Sequence, residues 1–125
     1  MEKYDENHFN EKMRVRTKQF AIRMYKTMNA VKLNDLARIP TRQLLRSSSS
    51  VAANFRSAAR GRSDAEFYSK ICIVVEECDE TIFWLEFMTE TGILSQIQTR
   101  DLHMEASELL RIFATIKRKL KQKRG

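Results

Sequence analysis

Residues 63–92 read SDAEFYSKICIVVEECDETIFWLEFMTETG, and this stretch decides the fold. Phe67, Ile71, Val74, Cys78, Ile82 and Leu85 recur every three or four positions, the rhythm of one buried stripe on a helix. Ser63 with Glu66 three residues later forms a capping box at the start, and Gly92 supplies a stop. The spacing predicts a helix over 64–91.

Working outward, the same rhythm returns on both sides. Upstream, Leu44, Ser48, Val51, Phe55 and Ala58 fall at 4-3-4-3 spacing, the seam pattern of a bundle. Pro40 suits the first turn of this helix, where its missing N–H costs nothing, and Gly61 is the expected left-handed stop. The predicted span is 40–60. Ser47, Ser48, Ser49 and Ser50 lie inside that pattern and read as small residues permitting close helix approach, in preference to a flexible linker. Downstream, Ser95 and Gln98 form a second capping box before Leu102, Ala106, Leu109, Phe113, Ile116 and Leu120, giving a helix over 96–122. Phe20, Ala21, Met24, Met28 and Val31 mark a first helix over 11–32, with 32–39 as the first connection. Two of the three connections are short, so neighbours run antiparallel. The expected architecture is all-α, a left-handed antiparallel up-down-up-down four-helix bundle forming one domain over 1–125.

Composition agrees with that class. A chain of 125 residues with three glycines and one proline does not suit a turn-rich sheet protein. It carries a net charge of +7, and six basic residues crowd the last nine positions: Lys117, Arg118, Lys119, Lys121, Lys123 and Arg124. The first residues, Met1 to Asp5, lack the apolar core of a signal peptide, and there is no run of about 18 apolar residues to form a membrane span. A cytoplasmic protein with no membrane association is expected. Cys72 and Cys78 stand six apart on one helix and read as reduced, packed thiols.

No chemistry-bearing constellation emerges. Carboxylate di-iron bundles need Glu-x-x-His on two helices, but His8 lies ahead of the first predicted helix and Arg100 stands three before His103. Zinc-ligand spacing is absent, and no glycine-rich phosphate loop exists. A Cys–His pair would need Cys72 or Cys78 to meet His103 across two helices, and the seam position of Cys78 favours packing. No catalytic residue, metal ligand or cofactor is expected.

Two surfaces carry more information. On a helical wheel with Ile71 at the origin, Phe83, Phe87, Ile73 and Trp84 lie about 120–220° away, opposite the seam. Glu76 and Glu80 lie among them. Large aromatics on the back of a bundle helix mark an interface, here expected between subunits; the alternative is that the neighbouring helices wrap far enough around this helix to cover them. On the second helix, Arg42, Arg46, Arg56 and Arg60 lie about 140–220° from Val51, with the small Ser49 and Ala53 between them. This ladder could take phosphates, pair with Glu76 and Glu80 of another subunit, or remain a solvated face. Asn54, one turn from Ser50, reads as a structural polar residue bonded to Glu77, Glu80 or a backbone carbonyl.

Several stretches also resemble a known family. Gln43-Leu44-Leu45-Arg46-Ser47-Ser48-Ser49-Ser50-Val51-Ala52-Ala53-Asn54-Phe55 is similar to the helix 2 signature of the four-helix-bundle proteins encoded in intervening sequences of bacterial 23S rRNA genes. Ser63 to Phe67, Glu76 to Thr81 and Trp84-Leu85-Glu86 look like its helix 3, and Glu105 to Leu109 like its helix 4. The resemblance spans roughly residues 12–120. It implies a homo-oligomer, a pentameric ring, and no enzyme. A similar bundle, the accessory protein of diversity-generating retroelements, binds nucleic acid and the reverse transcriptase as a basic pentamer. The expected function is weak binding of RNA or another nucleic acid through the arginine ladder and the basic tail, with a protein-binding adaptor lacking any nucleic-acid role as the alternative. One departure is plain: the family pattern Asn-Ile-x-Glu ends here in Ser57, preceded by Arg56, so that acidic group has no counterpart.

Overall fold

A computed structural model describes residues 2–124, with side chains over 6–123. Four helices account for nearly all of it: α1 (Glu2–Asn29), α2 (Asp35–Ala59), α3 (Asp64–Glu90) and α4 (Gln96–Arg124). Each packs on its chain neighbour, α2 and α3 most closely, and α1 touches α4 more sparingly to close the four-helix bundle. Thr89 and Glu86 near the end of α3 meet Thr99 and His103 near the start of α4, so these neighbours run antiparallel, and the short turn at 60–63 imposes the same on α2 and α3.

The core is the set of seams. Leu44, Val51, Phe55 and Ala58 of α2 are buried with Ile71, Val74, Cys78 and Leu85 of α3 and Leu102, Ala106, Leu109 and Phe113 of α4. Ser48 is buried within the same stripe. The Phe55 and Phe113 rings meet with centroids 5.2 Å apart. Each fully buried large side chain contributes roughly 1.5–3 kcal/mol. Phe67, Ile82, Ile116 and Leu120 are only half-buried against this core.

The helix ends correct the sequence reading in three places. First, α1 starts at Glu2, not Glu11. Phe9 and Met13 extend its apolar stripe upstream and pack on the core, so His8 lies within the helix. Val31 falls beyond its end, in the connection. Second, α2 starts at Asp35, five residues before Pro40. Asn34 is the cap, its side-chain oxygen accepting the Ala37 N–H at 2.8 Å. Pro40 is buried inside the helix, where its missing N–H leaves the Leu36 carbonyl without its i+4 donor. Leu36 is exposed, and water can serve that carbonyl instead. Third, Gly61 is not the left-handed stop. Gly92 has a φ of +80°, and no other described residue has a positive φ. Gly61 is needed for a close approach instead: a Cβ there would stand 3.0 Å from the Ala58 carbonyl oxygen.

The two capping boxes form, one fully. Ser95 Oγ accepts the Gln98 N–H while Gln98 Oε1 accepts the Ser95 N–H, at 3.2 and 2.8 Å. Ser63 Oγ accepts the Glu66 N–H, but Glu66 reaches past Ser63 to the Arg62 N–H.

Candidate functional site

On α3 the three rings expected on the outer face form one cluster. Phe83 and Trp84 meet edge-to-face with centroids 4.8 Å apart, Trp84 and Phe87 likewise at 5.4 Å, and Phe83 and Phe87 lie 6.1 Å apart. Their exposures differ. Phe83 is 53% and Phe87 39% exposed. Trp84 and Ile73 are half-buried, and Glu76 is exposed. Trp84 lies on the wheel toward α2, and its indole N–H is buried without a well-formed hydrogen bond. The open aromatic surface is therefore Phe83 and Phe87, with Trp84 as their support.

Two further apolar side chains stand at this same end of the bundle, where α2 begins and α3 ends. Leu36 is 79% and Ile39 64% exposed. Sequence reasoning missed both because it assigned them to a connection, where a helical face has no meaning. Ile97 and Met104, on the outer face of α4, are also exposed and were missed. Their signal was available on the wheel, about 200–220° from Leu102.

The arginine ladder divides. Arg46 is spent within the chain: its guanidinium bonds Glu77 at 2.9 Å and also Glu80 of α3. The Arg46 pairing holds the Glu80 carboxyl below the usual carboxylate range, with a smaller contribution from the nearby Trp84 indole. Glu80 is thus half-buried and engaged, and belongs to the α2–α3 seam. Arg42, Arg56 and Arg60 are exposed and form no ion pair among the described residues. Asn54 donates to the Ser50 carbonyl and hydroxyl, at 2.9 and 2.8 Å, a local bond within α2.

The tail continues α4 as helix. Lys117 is half-buried, while Arg118, Lys119, Lys121 and Lys123 are exposed; the Arg124 side chain lies outside the described residues. Lys119 and Lys123 line a cavity at the other end of the bundle, together with Arg62.

The side chains with chemical potential are otherwise engaged. His103 Nε2 lies 2.9 Å from Glu86, so its visible partner is a carboxylate and not a thiol. Cys78 is buried, and burial pushes its thiol up to about 12, with Glu77 and Asp79 adding to the effect. Cys72 is half-buried. Among the described residues no group of three or more His, Cys, Asp or Glu could hold a metal ion. No described helix is long and apolar enough to cross a membrane.

An all-α bundle with an aromatic outer face and separate basic surfaces is the class that fold and surface define together. Within it, the chain belongs to the 23S rRNA-intervening sequence protein family, matched over residues 11–115. A solved structure, a protein of unknown function from the S23 ribosomal protein family of Bacteroides thetaiotaomicron VPI-5482, is 25% identical. It aligns over 87% of this chain and 97% of its own, with a TM-score of 0.79. Among curated proteins there is no match.

Proposed function

We propose that this chain is a non-enzymatic cytoplasmic protein that self-associates through the aromatic face and binds single-stranded RNA weakly through its basic surfaces. The observation that carries the reading is the set of unpaired exposed cations: Arg42, Arg56 and Arg60 on α2, and Arg118, Lys119, Lys121 and Lys123 on α4. Seven such charges on an elongated bundle attract a polyanion without base-specific contacts. The resemblance to a nucleic-acid-binding pentamer points the same way, and the family's own name ties it to the genes of 23S rRNA.

The test is a salt titration of binding to a generic single-stranded RNA. Each neutralised phosphate contributes about −0.7 to the slope of log affinity against log salt, so three to five contacts give a slope of roughly −2 to −3.5. A flat slope, or no binding at low salt, rejects the RNA reading. Self-association is tested by sedimentation: native protein above 14.7 kDa at micromolar concentration, and a smaller species for Phe83→Ser with Phe87→Ser. A native monomer overturns it. Trp84 is left intact in that test because it also packs inside the chain.

A second reading, a protein-binding adaptor without an RNA role, draws on one observation. Arg46, at the middle of the ladder, is already neutralised by Glu77 and Glu80. On that reading partner binding survives high salt while RNA binding is absent.

A further inference from the structure

At the end of the bundle opposite the aromatic face, the start of α1, the α2–α3 turn and the tail of α4 border an open cavity of about 610 Å³. That volume lies within the ~300–1,000 Å³ of small-ligand clefts. Its floor is apolar: Phe9, Phe67, Ile116 and Leu120 pack on the core yet stay half covered. Its rim is cationic. Arg62, Lys119 and Lys123 are exposed, and none has a carboxylate partner among the described residues. Glu6 and Asp64 also line it, so the three cations outnumber the acids. The Asn7 and Asn10 amides complete the wall. Gly61 lets the turn fold tightly between α2 and α3, which brings Arg62 to this rim.

An apolar floor beneath a cationic rim fits a ligand with an apolar body and an anionic end. Two aromatic rings suit a flat heterocycle, since base–aromatic stacking tolerates any base. The asparagine amides offer donors and acceptors to a heterocycle's edge, which an alkyl chain cannot use. Three unpaired cations at one rim suit a terminal phosphate, with about two negative charges near pH 7, better than a diester with one.

We propose that this cavity holds one unpaired nucleotide bearing a terminal phosphate, its base against Phe9 and Phe67 and its phosphate on Arg62, Lys119 and Lys123. The proposal rests on the single-stranded RNA reading above and names where a strand end is held. It also gives the α4 tail a structural role: Lys119 and Lys123 are one turn apart, so both reach the same rim.

The experiment uses the full chain and a 3′-labelled single-stranded RNA hexamer with either a 5′-phosphate or a 5′-hydroxyl. The phosphorylated strand should bind at least fivefold tighter, and AMP should compete with it. Changing Arg62, Lys119 and Lys123 to Gln should cost at least tenfold and erase the preference. Changing Arg42, Arg56 and Arg60 to Gln should weaken both strands alike and leave the preference intact. Equal binding of the two strands by native protein would overturn the cavity assignment while leaving the wider RNA reading in place; no binding of either strand would remove both. Amide chemical shifts in the native protein give an independent readout that no variant's folding can spoil. AMP should move Asn7, Asn10 and Gly61, and shifts confined to other residues would overturn the proposal. Dodecyl phosphate binding tenfold tighter than AMP would reject the nucleotide.

Discussion

Where α2 meets α3 the buried facing side chains are small and hydroxylated, with the Arg46 ion pairs kept to the half-exposed edge, and where α1 meets α4 long charged side chains bridge the helices. The Ser47 and Thr81 hydroxyls, both fully buried, meet at 3.0 Å across the first seam. Each also has a carbonyl within its own helix, Leu44 for Ser47 and Glu77 for Thr81. Small residues let two helices approach closely, and the polar atoms stay satisfied because the helix itself supplies an acceptor. At the second seam a single arginine spans the gap. Arg16 makes two parallel bonds to Glu105, at 2.7 and 2.8 Å, and a third contact to Glu108 at 3.0 Å. The tight seam depends on volume and the loose one on charge, so the two should fail under different insults.

Ser47→Leu should do the most damage. Nothing at that seam can yield space, and overpacking costs about 1–3 kcal/mol. Ser49→Leu, two positions along on the exposed side of the same helix, should stay within about 0.5 kcal/mol. Denaturant melts of the pair check this, and equal costs would mean the seam is not close-packed. Arg16→Gln should cost about 1–2 kcal/mol at neutral pH, the scale of a charged hydrogen bond. Its pH dependence is the sharper readout. Arg16 holds the Glu105 carboxyl below its ordinary value, so the pairing stabilises the fold above the unfolded pKa of about 4.3. That contribution disappears as pH falls through the lowered folded value. Acid melts should therefore show native protein and variant converging as pH drops. Parallel curves would mean that Glu105 gains nothing from the pair.

Trp84→Phe should change stability by less than about 1 kcal/mol, because the lost ring area is offset by removing a buried N–H that lacks a full partner. A larger loss would show that the indole serves Glu80 better than its geometry implies. The smallest effect concerns the thiols, which differ as the seams do. Iodoacetamide at pH 8 should modify Cys72 and spare Cys78, whose burial keeps it protonated. Labelling of both at similar rates would mean that α3 opens locally.

Much of this was readable from periodicity. The seams of α2, α3 and α4 emerged because one stripe of apolar and small residues, Ser48 among them, repeats at every turn, and Gly92 and both capping boxes bounded them. Pro40 misled because a proline usually marks a helix start, whereas here Asn34 caps earlier and the helix tolerates the proline in its second turn. That one boundary hid Leu36 and Ile39, because residues assigned to a connection have no face. Charged surfaces were less readable for a different reason. A wheel places Arg46 among its neighbours on the outside of α2, but only the approach of α3 shows that Glu77 and Glu80 claim it. The end cavity joins residues 9, 62, 67 and 119 from four segments, and no local pattern connects them.

The short turns at 60–63 and 91–95 also have a kinetic consequence. Closing them costs little chain entropy, so the α2–α3 hairpin, with its dense and sequence-local contacts, can order early in the folding transition state. The Arg16–Glu105 clamp joins positions 89 apart and pairs late. Losing it should then leave the refolding rate nearly unchanged and quicken unfolding, whereas Ser47→Leu should slow refolding. In a chevron plot the two seams would move opposite arms, which turns the spatial order of the bundle into an order of events in time.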